Sequence, residues 1–348
     1  MSTRPVAARW RQLAGLVARR LGVTLVLLVG VTIVTFSLVQ LVPGDAASAN
    51  LSEAAQADPE VVAAYRDKWG LDDSIVERYL TYMGNLLHGD LSVSQVDGRS
   101  VATSLGDYVP ATLELAIPAM LIAVVLGVSI GMLGAVKRGR VTDQVIRFGA
   151  LVGLSTPSFW LAIVVLYVFF FVLGIAPNGG RLSPQFAPPP EVTGMYTVDA
   201  ALAGQWTVWW DAVQHLMLPV LVLSCLTVAM LIRFVRSSML EVMQQDYVAA
   251  ATAKGLPRRT VLGRHVLRAG LAPVLTVSGL AFASMLSGTV LIEQVFSWPG
   301  LGQYAYRSAS SLDLPSIMGV CLLVALIYML MNLVVDFLYG VIDPRIRG

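Results

Sequence analysis

Apolar residues along this chain gather into six long runs, at about 21–42, 109–136, 148–175, 212–232, 270–295 and 315–342. Apolar stretches of about 18 or more residues predict membrane-spanning helices. The first run would form roughly 33 Å of helix at 1.5 Å per residue. The third and sixth are long enough to tilt or to extend past a bilayer. A basic stretch precedes the first run, as in a signal peptide. The run is too long for such a signal and no small-residue cleavage site follows at once, so a retained span is expected.

Between the runs the pattern changes. In 43–108, the stretch DPEVVAAYRDKWGLDD predicts a helix capped by Asp58, with Pro59 at its first position. Ile75, Tyr79, Tyr82, Met83 and Leu86 follow at helical spacing. We expect a small helical subdomain outside the membrane. The stretch APNGGRLSPQFAPPP that follows the third run is too rich in Pro and Gly for regular structure. Trp206, Trp209 and Trp210 behind it suit an interfacial aromatic belt.

Composition agrees with a membrane protein: 56% hydrophobic residues, 13% charged and a mean hydropathy of +0.71, where a globular domain carries about 25% charged residues. Charge distribution orients it. Segments 1–20, 137–147, 233–268 and 343–348 hold 18 of the 24 Lys and Arg, whereas 43–108, 176–212 and 296–314 hold 15 of the 22 acids. Basic loops stay in the cytoplasm, so both termini are expected there. Cys225 and Cys321 fall inside predicted spans, where they read as small buried apolar residues.

Several chemistries find no residues to carry them. None of the three lysines, Lys68, Lys137 and Lys254, is followed by Ser or Thr, so the chain has no phosphate-binding loop of the Walker type. His88, His215 and His265 are scattered over both sides of the predicted membrane and cannot share a metal or catalytic site. Glu114, Glu293 and Asp336 are the acids within or at the ends of the runs, and acids there are candidates for function. Structural pairing is the competing reading. Glu114 and Glu293 fall near outer ends, where water is expected to reach them. With Trp298 they form the candidate pathway or outer-gate group, and Arg181 and Arg307 are the expected partners of Glu293.

One stretch carries chemistry of another kind. DYVAAATAKGLPRRTVLGRHVLR, residues 246–268, is basic and lies between two apolar runs. Asp246 suits a helix cap and YVAAATAK is strongly helix-forming. Gly255 can stop that helix in the left-handed conformation, and Pro257 suits the first position of a second helix. A helix of small residues admits close approach by another protein, and the flanking cations can meet carboxylates. A lipid-bound amphipathic segment needs neither the Ala cluster nor the Gly-Leu-Pro break.

This stretch resembles the cytoplasmic coupling loop of binding-protein-dependent ABC importer permeases, whose pattern is E-A-A-x3-G-x9-I-x-L-P. Ala250, Ala251, Gly255 and Leu267 match it; Ala249, His265 and Arg268 depart from it. The stretches LVPGD, GDLSVS, PATLELAI, STPSFWLA, HLMLPVLVLS, EQVFSWPGLGQ and IDPRIR, in that order, resemble the first permease subunit of the dipeptide/oligopeptide group. APNGG departs from that group's usual Leu-Pro-x-Gly-Gly form.

The resemblance implies an all-α integral membrane fold of the type I importer permease kind. It would have a cytoplasmic N-terminus at 1–20, a first span at 21–42, an external subdomain at 43–108, a five-helix core at 109–342 with a coupling loop at 233–269, and a cytoplasmic tail at 343–348. Asp246, Tyr247, Ala250, Ala251, Lys254, Gly255, Leu256, Arg258, Arg259 and His265 would couple the chain to ATPases. The implied role is non-catalytic import of short peptides across a bacterial inner membrane; related systems carry nickel, haem or glutathione. Implied partners are a second permease subunit, two ATP-binding subunits, an extracytoplasmic binding protein and the lipid bilayer, with no nucleic acid. The chain itself would bind no cofactor, ATP and Mg residing on the ATPases. A carrier working without ATP is the alternative, and it would show midplane charges and broken helices in paired halves.

Overall fold

The computed structural model describes residues 22–23, 25–37, 51 and 53–342. The expected cytoplasmic termini, 1–20 and 343–348, lie outside the described residues, as do 38–50 and the side chain of Asp336. The regular elements among the described residues are all helices; they include no strand, only an isolated antiparallel bridge between Val93 and Ser100.

Among the described residues, three helices are long and apolar enough to cross a membrane: Val101–Val136, Trp206–Met243 and Leu314–Val334. Two bent pairs would bring the number to five. An apolar helix at Leu25–Ser37 covers part of the first predicted span. The third run is not the single rod that its length suggests. Val141–Ser155 and Ser158–Val172 meet at 98°. The cause is local: a residue before proline is driven out of the helical region, and Thr156, before Pro157, is extended at φ −84° and ψ 122°. The fifth run differs as well. Helical residues run from Arg258 to Gly288 with a 48° bend at Pro273, so the second half of the basic stretch is the start of that span.

The chain divides into two compact units. One comprises residues 1–105 and 307–329. Here Asp58 caps Pro59–Lys68 by accepting from Glu60 N at 3.0 Å. Ser74 caps Ile75–Leu87 in a reciprocal box with Glu77. Tyr79 and Tyr82 pack on Phe36 of the first apolar helix, and the Tyr79 hydroxyl lies 3.0 Å from that of Thr32. Asp313 accepts from the hydroxyls of Ser94 (2.6 Å) and Ser316 (2.7 Å).

The other unit comprises 106–306 and 330–348. Its packing uses small residues, because helices in lipid gain from close contact rather than from expelling water. A Cβ at Gly127 or Gly131, four residues apart, would sit 2.6 Å from Leu231 Cβ or 2.8 Å from Val235 Cβ. These glycines let Val101–Val136 lie against Trp206–Met243. Cys225 on the latter helix is exposed, contrary to the buried position expected: it stands one turn on from Leu221, which is exposed too, while Leu223 and Ser224 point inward.

Candidate functional site

The basic stretch begins as a helix at Asp246–Ala253. Gln245, not Asp246, is its cap residue, and Asp246 opens the first turn, where its charge meets the positive end of the helix. The helix ends in a Schellman motif: Leu256 N–H donates to Ala251 O at 3.4 Å and Gly255 N–H to Thr252 O at 3.0 Å. Gly255 holds φ +77°, and nothing lies within 4 Å of a Cβ placed there. The requirement for glycine is therefore one of backbone conformation alone. Pro257 sits one residue earlier than expected, as the cap of Arg258–Thr260.

The two faces of this helix differ. Val248 and Ala251 are buried in a cluster with Ala135, Val235, Met239, Val261, Val266 and Val274. Tyr247, Ala250, Lys254, Gly255, Leu256, Arg258 and Arg259 are exposed. Ala251, three residues on from Val248, faces the protein's own core. Beyond Thr260 the backbone takes a π-helical form over Val261–Leu267, a widening that often accompanies functional sites. His265 is half-buried, with Arg264 and Arg268 exposed on either side. Ser238 donates to Gly270 O at 3.1 Å, tying the start of the fifth run to Trp206–Met243.

The carboxylates of Glu114 and Glu293 form two separate sites. Glu114 is buried and paired with Arg181, whose Nη2 lies 2.6 Å and Nε 3.2 Å from Glu114 Oε2. The other oxygen, Oε1, accepts from the N–H and hydroxyl of Thr197 at 2.6 and 2.7 Å. The Arg181 guanidinium also donates to Gly194 O at 2.6 Å and lies 3.5 Å from the centre of the Tyr196 ring. One ion pair thus fixes both ends of the irregular segment between Gly180 and Tyr196.

Glu293 has no exposed surface, so water does not reach it as its place near a span end suggests. It accepts from the Thr112 hydroxyl and from Gln303 N–H, each at 2.8 Å. Arg181, one of its expected partners, belongs to Glu114. Leu301 N–H in turn donates to Thr112 Oγ1 at 2.7 Å, and Trp298 Nε1 to Ala111 O at 2.9 Å. A Cβ on Gly300 would collide with the Glu293 carboxylate, and one on Gly302 would lie 2.7 Å from Val290 Cα. The turn SWPGLG is folded around the carboxylate, and its glycines are what let the backbone come so close.

Other polar anchors escape a reading of the sequence. Asp143 accepts from Arg236 at 2.6 and 2.9 Å and from Gly139 N–H at 3.1 Å. Asp211 accepts from the N–H and hydroxyl of Ser183, both at 2.7 Å. Burial pushes the Asp199 carboxyl up, but the Thr193 hydroxyl and the N–H groups of Thr193, Val192 and Gly194 outweigh it and hold the group below the usual carboxylate range. The signal for Asp199 is the T-G pair five residues before it; nothing local marks the others. Among the described residues, no group of three or more His, Cys, Asp or Glu is placed to hold a metal ion.

The helices and their lipid-type packing define a multi-pass membrane protein, and the buried polar side chains described above fasten its loops. The family described as "Binding-protein-dependent transport system inner membrane component" matches residues 112–348, and the corresponding N-terminal family matches residues 13–116. The chain belongs to this family of transport-system membrane components. It is 43% identical over 320 residues to the probable D,D-dipeptide transport system permease protein DdpB of Escherichia coli, covering 92% of this chain and 94% of that one. It is 40% identical over 329 residues to the dipeptide transport system permease protein DppB of Alkalihalophilus pseudofirmus, covering 94% and 98%. Among solved structures, the MetNI methionine ABC transporter in inward facing conformations aligns with 67% of this chain and 93% of that chain, at 14% identity and a TM-score of 0.47.

Proposed function

We propose that this chain is the first of two permease subunits in an ATP-driven importer of short peptides in a bacterial inner membrane. Six spans with both termini in the cytoplasm accord with the distribution of basic residues. An extracytoplasmic binding protein delivers the peptide, and a second, similar permease completes the pathway. Two ATPase subunits bind ATP and Mg and drive the cycle; this chain hydrolyses nothing. Bent helices also occur in carriers that use no ATP, but the family match favours the ATP-driven reading, and the names of the relatives favour di- and oligopeptides. The segment 43–108, with 11 acids against 4 bases, stands on the side where the binding protein arrives.

The observation that carries the coupling role is the division of faces at 246–259. Val248 and Ala251 are anchored in the membrane unit's own core, while Tyr247, Ala250, Leu256 and the cations Lys254, Arg258 and Arg259 face outward. An ATPase surface pressing on the outward face moves the buried face with it. Because helical residues run from 258 to 288, bent by 48° at Pro273, the push passes into the fifth run.

Gly255→Val tests this. Valine at φ +77° is disfavoured by roughly 1–2 kcal/mol, and with open space around the position the whole effect comes from the turn. In the reconstituted complex, peptide-stimulated ATP hydrolysis is expected to persist while uptake falls several-fold. Gly255→Asn, which tolerates the left-handed region, is expected to keep most uptake. Normal coupled uptake by Gly255→Val would remove the hinge from the mechanism.

A further inference from the structure

Helix Ile75–Leu87 presents three kinds of surface. Its first face packs within its own unit: Tyr79 and Tyr82 lie against Phe36, Tyr79 meets the Thr32 hydroxyl, and Tyr82 shares its surroundings with Cys321 of the last helix. This face therefore sits against two apolar helices, one of them long enough to span a bilayer. A second face carries Glu77 and Thr81, both exposed, and the half-buried Asn85.

The third face is apolar and largely uncovered. Val76, Leu80, Met83 and Leu87 recur at i, i+4, i+7 and i+11, the spacing of one helical stripe. Val76 is 66%, Leu80 62% and Leu87 81% exposed. Four large side chains in a row are a patch that needs a cover. What lies beside it points to the cover. The neighbouring helix Leu25–Ser37 exposes Leu25, Val26, Ile33 and Val34, apolar residues of a predicted span whose surroundings are lipid. Phe36 and Thr32 of that span hold the helix that carries the stripe, through Tyr79 and Tyr82.

We propose that helix Ile75–Leu87 lies in the membrane boundary, with Val76, Leu80, Met83 and Leu87 on the acyl chains of the bilayer and Glu77, Thr81 and Asn85 toward water and headgroups. A helix with one apolar and one polar long edge binds a bilayer in this way, and Tyr79 and Tyr82 are residue types favoured at that depth. The first part of the segment after the first span then stands in water, while its second helix is a membrane-bound foot that fixes where a soluble partner can land.

The test uses the assembled complex in lipid nanodiscs, with Cys225 and Cys321 changed to alanine. Single cysteines at Val76, Leu80, Leu87 and Thr81 carry a nitroxide, and its collisions with oxygen and with a water-soluble nickel chelate are measured. Labels at the three apolar positions are expected to favour oxygen several-fold over the label at Thr81, which favours the chelate. Chelate access at all four positions would overturn the proposal and leave the helix in water. Shielding from both reagents at Val76, Leu80 and Leu87 would also overturn it, by showing that a protein partner covers the stripe.

Discussion

Arg181→Ala is expected to destabilise the assembled protein by about 3–5 kcal/mol, the usual result of removing one member of a buried ion pair. The substitution leaves the Glu114 carboxylate buried with only the Thr197 N–H and hydroxyl to hold it. It also frees Gly194 O and takes a cation from the face of Tyr196. Arg181→Lys is expected to recover only part, because an ammonium cannot make the forked contact and stack on the ring at once. The informative variant is the double one, Arg181→Met with Glu114→Gln. With neither charge present no carboxylate is stranded, so the double variant is expected to be more stable than Arg181→Ala alone. Thermal unfolding of the detergent-solubilised complex, with proteolysis of the 181–195 segment as a local probe, reads both. A double variant as unstable as the single one would show that the pair's charges do not matter.

Glu293→Ala is expected to be of similar severity. It strands the Thr112 hydroxyl and Gln303 N–H without an acceptor, each worth about 1–3 kcal/mol when buried, and opens a void beneath Gly300 and Gly302. Glu293→Gln keeps the volume, but Oε2 faces the Gln303 N–H, so the amide fits only with its NH2 toward the Thr112 hydroxyl, which must then accept where it had donated. An intermediate loss is expected. Yield of the intact complex separates this reading from that of a gate latch. A latch variant assembles normally and shows raised ATP hydrolysis without peptide; the account here predicts poor assembly first.

The sequence exposes local events well and distant pairings poorly. The stop at Gly255 is legible because an Ala-rich run followed by Gly-Leu-Pro can do little else. The break in the third run is legible in principle, since Thr156 precedes a proline, but its 98° angle is not: it depends on what each half packs against. Which face of Asp246–Ala253 turns inward is likewise a tertiary matter, and Ala250 and Ala251 look alike until Val235 and Met239 are in place. The partners of Glu114 and Glu293 were hidden by separation, with Arg181 lying 67 residues and Thr112 181 residues along the chain. Within the long runs nearly every position is apolar, so periodicity cannot say which face meets lipid and which meets Gly127 or Gly131.

The central claim, that the outward face of 246–259 receives the ATPase, has a direct test. Cysteines are placed singly at Ala250 and Ala251 in a chain lacking Cys225 and Cys321, and the complex is treated with a short thiol crosslinker against cysteines on the ATPase surface. Ala250→Cys is expected to crosslink and Ala251→Cys, buried against Val248 and the core behind it, is expected not to. Efficient crosslinking from Ala251→Cys, or none from Ala250→Cys in a complex that still transports, would contradict the account.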